Sequence, residues 1–392
     1  MKLILFALKE IYFSFIILGD SLIIRWIRPT KSPGKKKVLV LRIDRIGDFI
    51  LWLDSAQALR EIYPPDQYEI TLLGNDLWSE IAKEIPWWDQ VWALNRRRFT
   101  RNLLYRWRTL KKIREAGFDI VLRPCFSRAF YYEDAVVRAS GACQRIGFSG
   151  DLSNITEQQK SQSDSWYTRL ISSSQEKLME LRRNAMFIRE LGLPSFQAKL
   201  PVFPMPLGSL KANTDGPYYI IFPGASRSLK EWPVDCFAEV ARRIYNRTGW
   251  TGILCGHQGE KEIEKKLSQQ RNPILKSFIG QTSLKELMGL IAGSRFVLGN
   301  DTGGIHMAAA VSTPSVCIVG GGHFGRFVPY QIDDGNDGPH FPKVVFHQMD
   351  CYYCNWQCIF NPPKGQPAPC IQKISVDRVW KGIEELLIEF KY

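Results

Sequence analysis

Short apolar runs alternate with longer stretches of helical period along most of the chain, from about residue 36 onward. Such runs predict buried strands and the stretches between them predict helices, an alternation typical of parallel sheets covered on both faces. The predicted strands are KKVLVLRI, YEITLLG, QVWAL, FDIVLRP and QRIGF, then PYYIIFP, TGILCG, KSFIG, RFVLG and PSVCIVG. The predicted helices lie at 48–62, 101–116, 129–139, 233–247, 259–268, 283–292 and 303–311.

The two series of strands are separated by residues 192–216, which contain four prolines and three glycines in no apolar period. This composition predicts a linker, and 392 residues are enough for two α/β domains. We therefore expect domains at 36–205 and 206–392, preceded by an apolar segment at 1–35. The second domain is expected to include a cysteine-rich loop at 351–370 and a terminal helix.

The N-terminal segment is apolar but interrupted by Lys9, Glu10, Asp20 and Arg25, which argues against a membrane-spanning helix. At helical period its polar residues fall on one side and leave a broad apolar face, and a basic tract follows at 31–37. This pattern is typical of an interfacial helix attracted to anionic lipid. The alternatives are a helix packed on the protein's own surface and an uncleaved signal-like segment.

The chain carries 52 Lys and Arg residues against 39 Asp and Glu residues, a formal charge of +13. This charge predicts phosphate-bearing partners, which include nucleotides, nucleic acid and anionic membranes. A basic run at 95–114 has Tyr105 and Trp107 among its cations, but no nucleic-acid fold signature accompanies it. The run therefore favours a membrane or a phosphorylated acceptor over nucleic acid.

Three loops in the second half of the chain each follow a predicted strand: residues 222–233, 255–262 and 299–306. The carboxyl ends of parallel strands share one edge of a sheet, so these loops are expected to converge. Each loop alone is explained by turn and capping chemistry, but three together favour a nucleotide site. The candidate ligand-binding residues of the first and third loops are Ser226, Arg227, Ser228, Lys230, Asp301, Thr302, Gly303, Gly304 and His306.

In the first half, LRIDRIGDFILW places Asp44 and Asp48 where the first strand turns into the first helix of its domain. A carboxylate at this point is suited to accept a proton from a hydroxyl nucleophile, or simply to complement the helix dipole. Spacing does not distinguish the two acids. The neighbouring Arg42, Arg45 and Gly47 are candidate acceptor-binding residues, and Gly47 would allow close approach to the backbone.

Three segments, RIDRIGDFILWLDSAQALR, FPGASRSLKEWPVDCFAEVA and GNDTGGIHMAAAVSTPSVCIVGG, resemble in order and spacing the signature segments of glycosyltransferase family 9. These are the ADP-heptose:lipopolysaccharide heptosyltransferases. The resemblance runs from about residue 36 to the C-terminus. It implies the GT-B architecture, in which two Rossmann-like domains face a cleft. It also implies that the C-terminal domain binds the nucleotide sugar, that the sugar is transferred with inversion and that no metal is needed.

By the match to its motifs, the resemblance implies that Asp48 is the general base and that Lys230 steadies the diphosphate. It implies that Asp301, Thr302, Gly303 and His306 line the donor site. Either Gln258 or Glu260 takes the place of a ribose-binding acid. Because Asp48 and Lys230 are expected in different domains, domain closure is expected to assemble the site.

The expected function is therefore an inverting, metal-independent transfer of heptose, or a related sugar, from ADP-heptose to a hydroxyl of the lipopolysaccharide core or a similar envelope saccharide. The expected partners are the nucleotide sugar, a lipid-linked saccharide acceptor and an anionic membrane surface, without nucleic acid. The expected location is peripheral, on the cytoplasmic face of the inner membrane. The alternative is a catalytically silent scaffold that binds a nucleotide sugar or lipopolysaccharide.

Four cysteines, Cys351, Cys354, Cys358 and Cys370, are clustered near the C-terminus. A C-x2-C pair with two further thiols suits a structural zinc ion or an iron–sulfur cluster, and it equally suits free or packed thiols. Any metal bound there is expected to be structural, because no cofactor is expected to be required for catalysis.

Overall fold

The computed structural model describes residues 2–30, 33–172, 178–204, 216–269, 275–333 and 340–391. The described residues group by contact into two units. The first unit lies within 1–45, 55–176 and 184–196, and the second within 46–54, 177–183 and 197–392. This grouping differs from a single boundary near residue 205, because residues 46–54 pack with the second unit. Much of the predicted linker, 205–215, lies outside the described residues.

The first unit contains a six-stranded parallel sheet in the order β3-β2-β1-β4-β5-β6. Val38 of the first strand pairs with Ile70 on one side and Ile120 on the other. The strands are β1 (Lys36–Arg42), β2 (Tyr68–Asn75), β3 (Gln90–Leu94), β4 (Ile120–Arg123), β5 (Gln144–Phe148) and β6 (Arg169–Ile171).

The second unit contains another six-stranded parallel sheet, in the order β12-β11-β10-β7-β8-β9. Read from its own first strand, this order is the same as that of the first sheet. The strands are β7 (Tyr218–Phe222), β8 (Thr251–Leu254), β9 (Leu275–Ser277), β10 (Val297–Asn300), β11 (Ser315–Val319) and β12 (Lys343–Phe346).

Helices connect the strands in both units. They are α1 (Lys2–Trp26), α2 (Ile46–Ile50), α3 (Leu53–Ile62), α4 (Ser79–Lys83), α5 (Arg96–Arg101), α6 (Leu103–Ala116), α7 (Ala135–Ser140), α8 (Glu157–Asp164), α9 (Glu180–Leu191), α10 (Val234–Thr248), α11 (Lys261–Gln269), α12 (Leu284–Gly293), α13 (Gly303–Ala310), α14 (Pro369–Gln372) and α15 (Val376–Glu389). The two doubly wound α/β domains expected from the sequence are therefore confirmed.

Buried apolar side chains explain why the central strands were predicted correctly. Residues 38–41 of β1 and 218–222 of β7 are buried throughout, as expected for strands covered on both faces. Two strands, β6 and β12, were not predicted. They are three and four residues long and only partly buried, so neither forms a distinct apolar run.

Helix α1 packs on the first unit through one face. Ile16 and Ile23 are buried, and Arg106 of α6 forms a buried ion pair with Asp20, with its Nε donating to the carboxylate at 2.8 Å. The hydroxyl of Tyr12 donates to the carbonyl of Thr100 at 2.6 Å. No helix of the described residues is both long enough and apolar enough to cross a bilayer.

Candidate active site

The first and third of the three loops predicted to bind a nucleotide are joined by the side chain of Asn300, at the end of β10. Its amide nitrogen donates to the carbonyl of Pro223 at 2.8 Å, and its oxygen accepts from the backbone N–H of Trp232 at 3.0 Å. Asn300 is fully buried, so these bonds replace the water that its amide would otherwise require. The two loops therefore lie at one edge of the sheet, as the strand pattern predicted.

Lys230 and Asp301 form an ion pair at this edge. Lys230 closes a 3-10 turn, Ser228–Lys230, and its Nζ lies 3.2 Å from an Asp301 carboxylate oxygen. Burial raises the pKa of Asp301, but the Lys230 ammonium, with a smaller contribution from His306, outweighs burial and holds this pKa below its usual value. Asp301 is thus a carboxylate at neutral pH, and Lys230 is held close to the start of α13.

His306 lies one turn into α13, on the same side as Asp301. Its Nδ1 lies 2.8 Å from the hydroxyl of Tyr330, and its Nε2 lies 4.0 Å from the carboxylate of Asp301. Burial lowers the pKa of His306 to about 4, with the opposing effect of Asp301 too small to restore it. The imidazole is therefore neutral at physiological pH and can accept or donate one hydrogen bond.

Helix α2, which carries Asp48, packs directly against the beginning of α13. A Cβ atom at Gly47 would lie 2.8 Å from Cδ2 of His306, and a Cβ atom at Gly303 would lie 2.3 Å from Cγ2 of Ile46. Both glycines are therefore required for the close approach of the two helices. From the sequence, Gly47 was expected instead to let a substrate approach the backbone. Half-buried Asp48 shares a unit with Lys230 and Asp301, contrary to the expectation of separate domains.

Asp44 has a different environment, within the first unit. One of its carboxylate oxygens lies 2.9 Å from Nε of Arg42 and 3.3 Å from the thiol of Cys125. Arg42 is fully buried and also reaches the side chain of Asn184 at 3.4 Å. This burial argues against the predicted acceptor contact of Arg42, whereas Arg45 is exposed.

The second loop contributes Glu260, whose carboxyl group lies against two backbone segments. A Cβ atom at Gly224 would lie 2.3 Å from this carboxyl group, and one at Gly256 would lie 2.0 Å from it. Burial, with the nearby Glu231 carboxylate, raises the pKa of Glu260 to about 7. Gln258 is exposed, so of the two candidates for the ribose contact it is Glu260 that lies against the first loop.

The remaining predicted donor residues differ in exposure. Ser226 and Arg227 are exposed and Ser228 is half-buried. Among the described residues, the buried hydroxyl of Thr302 has no hydrogen-bond partner, and it does not cap α13. The ring of Phe222 would lie 2.4 Å from a Cβ atom at Gly304, so this glycine serves the packing of α13 on the sheet.

Several residues that lie beside the candidate site were not predicted from the sequence. Tyr330 is hydrogen-bonded to His306, and the indole ring of Trp356 lies 4.9 Å from the Lys230 ammonium. The side-chain oxygen of Asn355 lies 2.6 Å from Nε2 of His323, in the turn after β11. Nothing in the local pattern marks these aromatic and amide side chains, because the contacts join distant parts of the chain.

The four clustered cysteines lie near one another without forming a ligand set. Burial raises the pKa of the Cys370 thiol. The amide of Gly321, which donates to its sulfur at 3.4 Å, opposes this rise, and the other three thiols add to it. Across the described ranges, no group of three or more His, Cys, Asp or Glu side chains is arranged to hold a metal ion. The metal site predicted at the four cysteines is therefore not found among these residues.

The sequence profile of glycosyltransferase family 9 (heptosyltransferase) matches residues 106–336, which is more than half of the chain. Lipopolysaccharide heptosyltransferase 1 of Pseudomonas aeruginosa is 23% identical over 373 residues, a match that covers 90% of this chain and 98% of that protein.

Two solved structures extend the comparison. Escherichia coli ADP-heptose lipopolysaccharide heptosyltransferase II aligns with a TM-score of 0.65 at 18% identity, covering 91% of this chain and 100% of that one. The dodecameric iron-containing heptosyltransferase TibC of enterotoxigenic Escherichia coli, solved with ADP-D-β-D-heptose, aligns with a TM-score of 0.54 at 14% identity, covering 92% and 79%. These alignments confirm the GT-B fold class. The chain is thus an enzyme that belongs to glycosyltransferase family 9, the heptosyltransferases.

Proposed function

We propose that this protein transfers heptose from ADP-heptose to a sugar hydroxyl of the lipopolysaccharide core, with inversion at the anomeric carbon. The observation that carries the proposal is the packing of helix α2, which bears Asp48, against the start of α13, where Lys230 and Asp301 pair. The names of the relatives support the donor and the acceptor, since they include an ADP-heptose lipopolysaccharide heptosyltransferase.

In the proposed reaction the Asp48 carboxylate accepts the proton of the acceptor hydroxyl as its oxygen bonds to the anomeric carbon. The bond from that carbon to the β-phosphate oxygen breaks, and ADP leaves with the electron pair. Lys230 and the first-turn amides of α13, which the Thr302 side chain does not cap, are placed to stabilise the charge on the departing diphosphate. Asp301 keeps the Lys230 ammonium at this edge before the donor binds.

The ribose contact is proposed for Glu260. Its carboxyl group already touches the backbone of the first and second loops, so ribose hydroxyls bound there would lie beside the diphosphate-binding turn. Because His306 is neutral, it is proposed to donate or accept a hydrogen bond within the donor site rather than to add positive charge.

The test is a transfer assay with ADP-heptose and a lipid-linked core acceptor, combined with calorimetric titration of ADP, UDP, GDP and CMP. We expect selective ADP binding, about tenfold or more weaker in Asp301→Ala because Lys230 loses its partner, and a product with one added heptose. Preference for another nucleotide would replace the donor. Tight ADP binding without transfer to any core acceptor would favour the catalytically silent scaffold.

We further propose that the protein binds the cytoplasmic face of the inner membrane through a docking face on the first unit. This face consists of the exposed apolar side chains of α1 and α6: Phe15, Leu18, Leu22, Trp26, Leu103, Leu104 and Trp107. On α1 these residues recur at intervals of three and four, the spacing of one helical face.

Charge at the docking face favours anionic lipid. Arg25, Arg28, Arg101 and Arg108 are exposed on or beside the two helices. Asp20, one of the two acids that interrupt the apolar segment, is turned inward and paired with Arg106. An apolar face bordered by cations is the pattern of an interfacial helix.

Co-sedimentation with vesicles tests the docking face. We expect the protein to pellet with phosphatidylethanolamine–phosphatidylglycerol vesicles and much less with phosphatidylcholine vesicles, and added salt to weaken the binding. Replacing Leu22 and Trp26 by serine should abolish pelleting. The control is Ile388→Ser, which removes an equally exposed apolar side chain from α15 of the second unit. Pelleting that survives the double change, or is lost in the control, would contradict the proposal.

A further inference from the structure

The cysteine-rich segment, residues 351–370, is folded onto the glycine turn that follows β11. The amide of Tyr353 donates to the carbonyl of Gly321 at 2.7 Å, and the amide of Asn355 donates to the carbonyl of Gly322 at 3.0 Å. A Cβ atom at Gly322 would lie 2.4 Å from the ring of Trp356. The turn therefore has to be glycine for the segment to approach it so closely.

The same segment also reaches the first loop, which carries Lys230. The amide of Ala368 donates to the carbonyl of Leu229 at 3.0 Å, one residue before the lysine. At the other end of the segment, the side-chain oxygen of Asn355 lies 2.6 Å from Nε2 of His323. The segment is thus attached both to the first loop and to the turn that follows β11.

Four residues of this segment adopt left-handed backbone conformations that non-glycine residues rarely occupy. Tyr353, Asn355, Trp356 and Asn361 have φ angles of 71°, 49°, 60° and 44°. Such conformations are unfavourable and persist only where surrounding contacts enforce them, and they are concentrated at functional sites. The contacts of the segment therefore hold Trp356 in a backbone conformation that it would rarely adopt by itself.

The Trp356 ring lies against the ammonium group of Lys230, 4.9 Å from Nζ to the ring centroid. Trp356 is 6% exposed, and its indole N–H has no hydrogen-bond partner among the described residues. The indole N–H of a buried tryptophan usually forms a hydrogen bond. Because that of Trp356 forms none with these residues, its polar contact is the one between the ring face and the Lys230 ammonium.

We infer that Trp356 is a positioning residue for the donor site: its ring and the Asp301 carboxylate together hold the Lys230 ammonium where it meets the donor diphosphate. The inference rests on the proposed function. A lysine side chain is long and flexible, and fixing its ammonium before the ligand arrives reduces the entropy lost on binding. The cysteine-rich segment then contributes to donor affinity through Trp356, although none of its residues needs to touch the sugar.

A double-mutant cycle between Trp356 and Lys230 separates this role from simple packing. ADP dissociation constants are measured by calorimetry for the wild type, Trp356→Met, Lys230→Met and the double variant. We expect Trp356→Met to weaken ADP binding by about fivefold and Lys230→Met by about 30-fold. The double variant should be no weaker than Lys230→Met within about twofold, because without the ammonium the ring has nothing to position.

Two further variants complete the design. Trp356→Phe retains an aromatic face and should bind ADP within about twofold of the wild type. Trp250→Leu is the matched control, because Trp250 also lies near a cation in the second unit, with the Arg295 guanidinium 5.8 Å from its ring, but on none of the three loops. It should leave the ADP dissociation constant unchanged even if the melting temperature falls.

The outcomes are distinguishable. If Trp356→Met weakens ADP binding equally with and without Lys230, or leaves it unchanged in a folded protein, the inference is wrong. If Trp356→Met does not fold, the cycle is repeated with Trp356→Leu, a second variant without an aromatic face, and an effect of equal size with and without Lys230 has the same meaning. If the wild type itself does not bind ADP, it is the proposed function that fails.

Discussion

Asp44 and Asp48 are four residues apart, yet they lie in two different units with different neighbours. Asp44 belongs to the first unit, where its carboxylate is engaged by the buried guanidinium of Arg42 and the thiol of Cys125. Asp48 belongs to the second unit, on a helix that packs against the start of α13 beside His306. Asp44 is thus paired with a buried guanidinium, whereas Asp48 lies near residues that are proposed to bind the donor.

The two sheets have the same strand order, so topology does not explain this difference. At the first sheet the guanidinium of Arg42 is fully buried and pairs internally. In the second unit, glycines at 47 and 303 let α2 approach α13, and the buried hydroxyl of Thr302 has no partner among the described residues. The close approach of two helices through small residues distinguishes the candidate site from the ion pair at the first sheet.

The largest effect is expected for Asp48→Asn. The amide cannot accept the proton of the acceptor hydroxyl, so the rate of heptose transfer should fall by about 10³-fold. The ADP dissociation constant should change by less than about twofold, because Asp48 is assigned to the acceptor step. Transfer kinetics and calorimetry on the same preparation measure both. Loss of ADP affinity without loss of kcat would show that Asp48 is not the general base.

Asp44→Asn should instead affect stability. It leaves the buried guanidinium of Arg42 without its carboxylate, which is expected to lower the free energy of unfolding by about 3 kcal/mol. The denaturant midpoint measures this change. The transfer rate per folded molecule should stay within a few fold of the wild type. A stable Asp44→Asn protein that has lost transfer would show that the base lies in the first unit.

A smaller effect is expected from the ionisation of Glu260, whose pKa burial and Glu231 raise to about 7. Its neutral form is favoured by folding, so this contribution to stability is complete below its ordinary pKa and is lost as the pH rises through about 7. Ribose hydroxyls donate to the ionised form, so ADP affinity should rise by up to about tenfold between about pH 6 and pH 8.

The matched control for this prediction is Glu260→Gln, which keeps the shape and cannot ionise. Because the phosphates of ADP titrate equally with both proteins, the difference between the two pH profiles isolates Glu260. Parallel profiles would show that Glu260 does not bind the ribose in its ionised form, and the second loop would then lose its assigned contact.

The α/β fold class, ten of the twelve strands within the described residues and the three loops proposed to bind the donor follow from the amino-acid sequence, because apolar runs and strand-end polar residues are local signals. Strands β6 and β12 were not predicted, because three or four partly buried residues give no distinct hydrophobic period. The choice between Gln258 and Glu260 also needed the fold, since it depends on which side chain meets Gly224 and Gly256.

The folded chain was needed to show which of the two acids after β1 is paired with a buried guanidinium, and which side chains surround Lys230. Asp44 accepts a hydrogen bond from the thiol of Cys125, which lies 81 residues away in the sequence. Lys230 contacts Asp301, 71 residues away, and Trp356, which is farther still along the chain. Contacts over such distances depend on how strands and helices pack. Such contacts cannot be predicted from the residues on either side of each position, whereas the hydrophobic period of a strand is set by a few consecutive residues.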